Sequence, residues 1–360
     1  MYRRGAYVFA VLLVGVCIGW VAGMYGPWAH QDVVENRGAV LRQSSTDYTY
    51  ISPLLACDIG TEESFPELAP IKASVEQVIA AATQDGSVSD VSVYVRALKS
   101  ARWFEIDGQT TYAPASLLKV FIMMAYYKED DDRGNGSVLG RSIVFEGSAN
   151  PQQDMPGEVI PHLVAGQHYT VAQVIDQMII YSDNDAMTTL VDNFDSQTLQ
   201  EFKNIFSDLD IPSPLTQTED AMNFMPVDSY AMVFRILFSA TYLSRQYSNE
   251  ALALLARAHY ADGIVAGVPS GTMVAHKFGV RSIPASQNGG VAGAELHDCG
   301  IVYYPKHPYL LCVMTRGTSV AALEQTLQQV SKTTYQGLST FFATAASSTP
   351  STIGPVARPR

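Results

Sequence analysis

The stretch from Ala115 to Lys128 restricts the fold more than any other part of the sequence. It is long enough for about four helical turns, and it carries apolar side chains on nearly every face: Leu117, Leu118, Val120, Phe121, Ile122, Met123 and Met124. A helix that is apolar all round must be covered by other elements on all sides. Lys119 lies inside this stretch, and a lysine is seldom buried without a reason.

The segments on both sides of this helix contain strand patterns. Val91, Val93 and Val95 alternate with polar or amphipathic residues, and a second strand is expected at 102–106 before a turn at Asp107-Gly108. Three more strands are expected at 273–277, 296–304 and 309–315, and helices at 71–82, 171–179, 231–240, 250–258 and 320–330.

This order of elements predicts an α+β fold, an α/β sandwich with an added helical lobe. Strands from both ends of the chain join one antiparallel sheet, and the terminal helices pack on it. The domain is expected over residues 68–343, with an α/β lobe at 68–115 and 265–343 and a helical lobe at 116–264.

Residues 30–67 are predicted to be a polar linker. Residues 344–360, rich in Ala, Ser, Thr and Pro, are predicted to be a disordered tail.

The N-terminal segment predicts a membrane anchor. Residues Ala6 to Tyr25 carry no charged side chain, and about twenty helical residues span the hydrocarbon layer of a bilayer. Arg3 and Arg4 precede this span, and basic residues stay on the cytoplasmic side. We therefore expect residues 1–29 to be a single-pass signal anchor in the cell membrane, with the domain outside the cytoplasm.

Two alternatives place the domain outside the cytoplasm as well. One is a signal peptide that is cleaved near Ala22-Gly23. The other is a lipoprotein modified at Cys17, which is the weaker alternative because Val16 stands where a small residue is needed and Cys17 lies within the apolar span.

Charge and cysteine content exclude several classes of protein. The net charge of −12 and the absence of a long Lys/Arg run argue against nucleic acid as a partner, since phosphate binding requires a basic surface. Beyond the apolar span lie Cys57, Cys299 and Cys312, an odd number that cannot all pair within the chain. Cys299 and Cys312 lie on two strands that flank an expected turn at 305–308 and could be near each other, but we expect free buried thiols. The seven histidines are scattered, so neither a metal nor another cofactor is expected.

Ser116 and Lys119 are three residues apart at the start of the buried helix. Residues at this spacing share a helix face, so the hydroxyl and the amine can meet. A serine becomes a nucleophile when a base lies beside it, and a lysine is such a base when burial or another cation lowers its pKa. The pair is a candidate nucleophile and base, although the spacing also occurs by chance.

A second motif, Ser182-Asp183-Asn184, follows the helical stripe that ends at Ile180. These residues are common helix caps, and they could equally supply a proton relay through Ser182 and an amide ligand for a substrate through Asn184.

A third motif, His276-Lys277-Phe278-Gly279, is expected at the end of a strand. Its lysine could lower the pKa of Lys119 and attract an acidic group. Taken alone, the motif would indicate only a surface lysine before a turn glycine.

Together the three motifs resemble a known set. Ser-x-x-Lys, Ser-Asp-Asn and Lys-Thr-Gly are typical of class A β-lactamases and penicillin-binding proteins. Here they occur in that order, at similar intervals and in similar structural contexts, and the resemblance covers about Leu68 to Phe342. It implies a β-lactamase/transpeptidase-like fold.

The resemblance also implies a role for each matched residue. Ser116 is the nucleophile that forms an acyl-enzyme, and Lys119 is its base. Ser182 passes the proton to the leaving nitrogen. Asn184 binds the acyl amide, and Lys277 supports the proton network and the substrate carboxylate. The oxyanion hole consists of the N–H groups of Ser116 and of Val280, which follows Gly279.

The sequence departs from this family at two places. Phe278 stands where the family has a Thr or Ser whose hydroxyl holds the substrate carboxylate, and Arg281 could compensate. Class A enzymes also carry a Glu, followed four residues later by Asn, that activates the deacylating water. Glu219 and Asn223 have this spacing, but the next helix follows soon after, so Glu219 could also be an ordinary loop acid.

These observations predict a β-lactamase-like serine hydrolase acting on β-lactams. One alternative is a D-Ala-D-Ala carboxypeptidase or penicillin-binding peptidase acting on stem peptides of peptidoglycan. The other is a non-hydrolytic module that binds wall peptides. Phe278 favours the binding module, and the intact set Ser116, Lys119, Ser182 and Asn184 disfavours it.

Overall fold

The structure is a computed structural model that describes residues 40–42, 48–57, 65–134, 136–148, 160–217, 222–285 and 292–347. The expected anchor at 1–29 lies outside these residues. Within the described ranges, no helix is both long and apolar enough to cross a bilayer.

The fold is built on a five-stranded antiparallel sheet, whose strands are β3 (Val88–Ala97), β4 (Trp103–Ile106), β9 (Val274–Ile283), β10 (Gly293–Val302) and β11 (Tyr309–Gly317). Their order in the sheet is β4-β3-β11-β10-β9. Two strands therefore come from the N-terminal part of the domain and three from the C-terminal part. The α+β prediction, with one sheet formed from both ends of the chain, is confirmed.

Each face of the sheet packs on a different set of helices. On one face lie α1 (Ala69–Ala82) and the last helix, α8 (Val320–Ser347), so that Val313 of β11 shares a core with Leu327. The next residue, Met314, points to the opposite face and joins the core of the helical lobe. Because alternate side chains enter two cores, the central strands are apolar on both faces.

The helical lobe surrounds the buried helix α2 (Leu118–Arg133). Phe121 of α2 stacks on Phe206 with ring centres 4.5 Å apart. The other helices of the lobe are α3 (Val171–Ile180), α4 (Asn184–Asp192), α5 (Ser196–Asp208), α6 (Val227–Ser239) and α7 (Arg245–Leu255). Short strands complete it: β5 (Thr111–Tyr112) pairs with β8 (Met225–Pro226), and β6 (Ser142–Val144) pairs with β7 (His168–Thr170).

The prediction of a polar linker over 30–67 is wrong for its described part. β1 (Val40–Arg42) pairs with β2 (Leu54–Cys57), and the residues before β2 dock on the domain. Ile51 is buried, and the Ser52 N–H donates to the Phe238 carbonyl over 2.8 Å. The Tyr303 hydroxyl donates to the Tyr50 carbonyl over 3.0 Å. Apolar Ile51 anchors this segment despite its polar neighbours.

The predicted tail also begins later than residue 344. Helix α8 continues to Ser347, because Ala345 and Ala346, good helix formers, extend a helix that is already packed. Residues 348–360 of the predicted tail lie outside the described residues.

The expectation of free thiols at Cys299 and Cys312 is wrong, because the two are joined by a disulfide. Cys299 of β10 lies directly opposite Cys312 of β11 in the register. Both side chains are buried on the face of the sheet that meets the helical lobe.

This disulfide predicts a measurable stability difference. Reduction should lower the free energy of unfolding by about 3 kcal/mol, because the bond closes a short loop in the unfolded chain. Urea denaturation with and without reductant measures this difference. Alkylation of the denatured protein should label Cys299 and Cys312 only after reduction, and labelling of both without reductant would show that the bond is absent.

Candidate active site

Ser116 lies in a strained turn that leads into α2. Residues Ala115–Leu117 form a single 3-10 turn, in which the Leu117 N–H donates to the Pro114 carbonyl over 3.0 Å. Ala115 has a φ of 48°, a left-handed conformation that a non-glycine residue adopts at a cost of about 1–2 kcal/mol. Ser116 itself is half-buried, so its hydroxyl remains within reach of a substrate.

Strand β9 presses against this turn at Gly279. A Cβ atom at Gly279 would lie 3.2 Å from the backbone nitrogen of Ser116 and 3.0 Å from the carbonyl oxygen of Pro114. The strand can approach the Ser116 N–H this closely because position 279 lacks a side chain. The third motif was expected at a strand end, and this is wrong. It lies within β9, which stays paired with β10 as far as Ile283.

The second motif forms the corner between two helices, as predicted. Helix α3 ends at Ile180 and α4 begins at Asn184. The Asp183 carboxylate caps α4 by accepting from the Ala186 N–H over 2.9 Å. Ser182 has a φ of 55°, a second left-handed residue beside the site. This corner turns the Ser182 hydroxyl and carbonyl towards α2.

The three motifs converge on the Ser182 hydroxyl. The Lys277 Nζ donates to the Ser182 Oγ over 2.8 Å and to the Phe278 carbonyl over 3.0 Å. The Lys119 Nζ lies 3.2 Å from the same hydroxyl. It also donates to the Ser182 carbonyl and, over 2.7 Å, to the Asn184 Oδ1. Two lysines from different lobes therefore share one hydroxyl.

Burial favours the neutral form of these amines. It lowers the pKa of Lys119 to about 7, although the Asp183 carboxylate acts in the opposite direction. The pKa of Lys277 is also well below its ordinary value, because of burial first and then the charge of Lys119, with Asp298 opposing both. Two ammonium groups that share one hydroxyl repel each other, so the cluster favours a state with one neutral lysine.

Hydrogen-bond counting indicates what a neutral Lys119 can do. A neutral amine has two N–H bonds and one lone pair. Two of its partners, the Ser182 carbonyl and the Asn184 Oδ1, can only accept, so they take both N–H bonds. The lone pair is then left to accept a proton from a hydroxyl. A neutral Lys119 therefore has the lowered pKa and the available lone pair that a general base needs.

Comparison with known proteins identifies the family. A family model described as "Beta-lactamase enzyme family" matches residues 71–338, which is more than half of the chain. The chain belongs to this β-lactamase family. No curated protein matches the sequence.

Solved structures share the fold of this family member at low sequence identity. The structure of PBP-A has a TM-score of 0.60 and 18% identity, covering 79% of this chain and 100% of that chain. A class A β-lactamase from Bacteroides cellulosilyticus has a TM-score of 0.60 and 17% identity, covering 75% and 99%. A β-lactamase from Sphaerobacter thermophilus has a TM-score of 0.59 and 20% identity, covering 73% and 96%.

Phe278 gives this family member an aromatic surface beside the cluster. Its ring stacks on Tyr260 with centres 4.1 Å apart, and the Lys277 Nζ lies 4.4 Å from its centre. Val280, two residues further on, is 37% exposed. Arg281 is half-buried and lies opposite Glu295 in the register.

The predicted residue Glu219 lies outside the described residues. Asn223, four residues later, is exposed, and it precedes Phe224 and Met225, which are buried in the core.

Sequence reasoning missed two buried residues next to the site, Glu295 and His297 of β10. Both contact the backbone of Ala113, three residues before Ser116. Their signal in the sequence was a cluster of ionisable residues, Glu295, His297 and Asp298, within one strand.

The buried Lys119 predicts a pH dependence of stability. Its pKa of about 7 in the folded protein lies below the ordinary 10.5, so between these values the unfolded chain binds more protons and stability rises with pH. From about pH 7 to about pH 9 the free energy of unfolding should rise about 2 kcal/mol more in the wild type than in Lys119→Met. Urea denaturation at both pH values measures this, and equal pH slopes would contradict it.

Proposed function

We propose that the protein is a serine hydrolase that forms an acyl-enzyme on Ser116 and hydrolyses β-lactams. The observation that supports this most strongly is the convergence of Lys119 and Lys277 on the Ser182 hydroxyl. Both lysines adjoin the turn that carries Ser116, since Lys119 lies three residues further along the chain and Gly279, two residues after Lys277, packs against the Ser116 backbone nitrogen. A network that joins a low-pKa amine to a second hydroxyl suits proton transfer during acylation.

In the proposed acylation, neutral Lys119 accepts the proton of the Ser116 hydroxyl while the Ser116 Oγ attacks the carbonyl carbon of the cyclic amide. The oxyanion that forms accepts hydrogen bonds from the N–H groups of Ser116 and Val280. The C–N bond then breaks. The leaving nitrogen takes the proton of the Ser182 hydroxyl, and Lys119 returns its proton to Ser182. No net proton is gained or lost in acylation.

The remaining polar groups would bind the substrate. Asn184 is exposed at the mouth of the cluster and can hydrogen-bond the acyl amide. In the state in which Lys119 is neutral and Lys277 carries the charge, Lys277 would favour a substrate carboxylate. Phe278 offers no hydroxyl for that carboxylate, so carboxylate recognition in this protein would depend on Lys277 and Arg281.

The deacylation step separates two candidate activities. If Glu219 activates a water molecule, the ester on Ser116 is hydrolysed quickly and the protein is a β-lactamase. The second candidate is a D-Ala-D-Ala carboxypeptidase that acts on stem peptides of peptidoglycan. It is favoured by the short connection after Glu219, since β8 begins at Met225 and α6 at Val227.

The proposal predicts covalent labelling that depends on Ser116. A fluorescent penicillin should label the wild type and leave Ser116→Ala unlabelled, because the variant lacks the attacking oxygen. The initial labelling rate should rise with pH through about 7, as Lys119 loses its proton. Gel fluorescence and intact mass measure the label, and Ser182→Ala, which keeps the nucleophile, should label more slowly. Equal labelling of wild type and Ser116→Ala would contradict the assignment of the nucleophile.

Turnover then distinguishes the activities. Rapid hydrolysis of a chromogenic cephalosporin by the wild type, converted to stable labelling in Glu219→Gln, supports a β-lactamase. Stable labelling of the wild type itself supports the peptidase. The absence of both labelling and turnover would overturn the proposal and would favour a wall-peptide-binding module.

We also propose that the catalytic domain faces the outside of the cell membrane. The charge-free span at Ala6 to Tyr25 motivates this. The Cys299–Cys312 disulfide supports it, because disulfides persist in oxidising compartments.

In membrane fractions washed with high salt, the full-length protein should remain bound, and protease added to intact protoplasts should digest the domain. Recovery of undigested protein from the cytoplasmic fraction would contradict this location. Release of a soluble domain into the medium would indicate a cleaved signal peptide instead of an anchor.

A further inference from the structure

The segment that precedes the nucleophile is held by side chains and not by a continued strand. The strand β5 ends at Tyr112, and both backbone polar groups of Ala113 bind side chains of β10. The Ala113 N–H donates to the Glu295 Oε2 over 3.2 Å. The Ala113 carbonyl accepts from the His297 Nε2 over 3.0 Å.

Each of these side chains is itself fixed by β11. The Glu295 carboxylate is fully buried, and its Oε1 accepts from the Arg316 guanidinium at 2.9 Å and 2.8 Å. Arg316 also donates to the Thr111 carbonyl over 2.9 Å and lies over the Tyr112 ring. Arg316 and Glu295 therefore hold residues 111–113 in place by hydrogen bonds from one side.

His297 is held in one tautomer. Its Nδ1 accepts from the Thr315 N–H over 3.3 Å, so its Nε2 carries the proton and donates to Ala113. Burial lowers its pKa to about 4, which keeps the ring neutral. The ring packs edge-on against Tyr112.

The paired residues His297 of β10 and Gly279 of β9 both contact the segment that carries Ser116. His297 lies opposite Gly279 in the register of β10 and β9, and Gly279 abuts the backbone nitrogen of Ser116. The turn is thus fixed by β9 at Ser116 and by β10 at Ala113. Between these points lies Ala115 in its left-handed conformation, and such strain persists where the surroundings over-determine the backbone.

We propose that Glu295 and His297 are positioning residues for acylation, holding Ala113 so that the strained turn aims the Ser116 hydroxyl and N–H at the substrate. This inference rests on the proposed function of Ser116. The two residues act through the Ala113 backbone and not by touching the substrate, so their loss should slow the chemical step and leave substrate binding nearly unchanged.

His297 is the better residue to test, because removal of Glu295 would also take an ion-pair partner from Arg316, which itself binds the Thr111 carbonyl. In His297→Leu the Ala113 carbonyl loses its donor, and the acylation rate at saturating fluorescent penicillin should fall about 10- to 100-fold. The penicillin concentration at half-maximal rate should change by less than about threefold. In His297→Gln the side-chain amide can still donate, and most of the acylation rate should return.

Two further variants separate positioning from general destabilisation. Val313→Ala removes buried volume on the opposite face of the sheet and should lower stability without slowing acylation. Ala115→Gly removes the cost of the left-handed conformation, so adding it to His297→Leu should recover part of the lost rate. Equal slowing in His297→Leu, His297→Gln and Val313→Ala would overturn the proposal.

Amide hydrogen exchange gives a readout that does not depend on the chemistry. The peptide covering residues 111–119 should exchange faster in His297→Leu than in the wild type, and at the wild-type rate in His297→Gln and Val313→Ala. If penicillin labels no variant, including the wild type, the proposed function fails, and exchange still decides whether His297 holds the turn. Unchanged exchange in His297→Leu would overturn the positioning role.

Discussion

The site depends on the burial of two lysine amines around one serine hydroxyl. A buried ammonium group is costly unless polar groups replace its water. Here the replacements are carbonyl oxygens: Ser182 and Asn184 for Lys119, and Phe278 for Lys277. The Ser182 hydroxyl, which accepts from Lys277, lies in the other lobe. The lobes must therefore meet in one fixed arrangement, because otherwise Lys277 would lose this partner.

Local sequence patterns were sufficient for the features that depend on local geometry. The stripe of apolar residues that became α3 and the alternation that became β3 both follow directly from helix and strand periodicity. The corner at Ser182 was also predictable, since Asp183 is a preferred N-cap residue and it does cap α4. The order of the three motifs then indicated that distant segments meet, because one short motif alone has little information.

The features that sequence reasoning missed depend on register and on contacts between separate segments. Cys299 and Cys312 form a bond because the register places them directly opposite each other, and a shift of one residue would separate them. The extent of β9 beyond Gly279 depends on its pairing with β10. The docking of Ile51 needs a surface that other elements build, and the contact of His297 with Ala113 joins residues 184 positions apart.

In strand β9, the atoms of the proton network differ from those that face a substrate. The network uses the side chain of Lys277, the carbonyl oxygen of Phe278 and the missing side chain of Gly279. Any residue at 278 can supply that carbonyl oxygen. A change at 277, by contrast, removes the amine, and a change at 279 places a Cβ atom 3.2 Å from the Ser116 backbone nitrogen. The side chain at 278 can therefore change without loss of the proton network. We therefore propose that a phenylalanine there, stacked on Tyr260, alters substrate preference and leaves the proposed acylation chemistry in place.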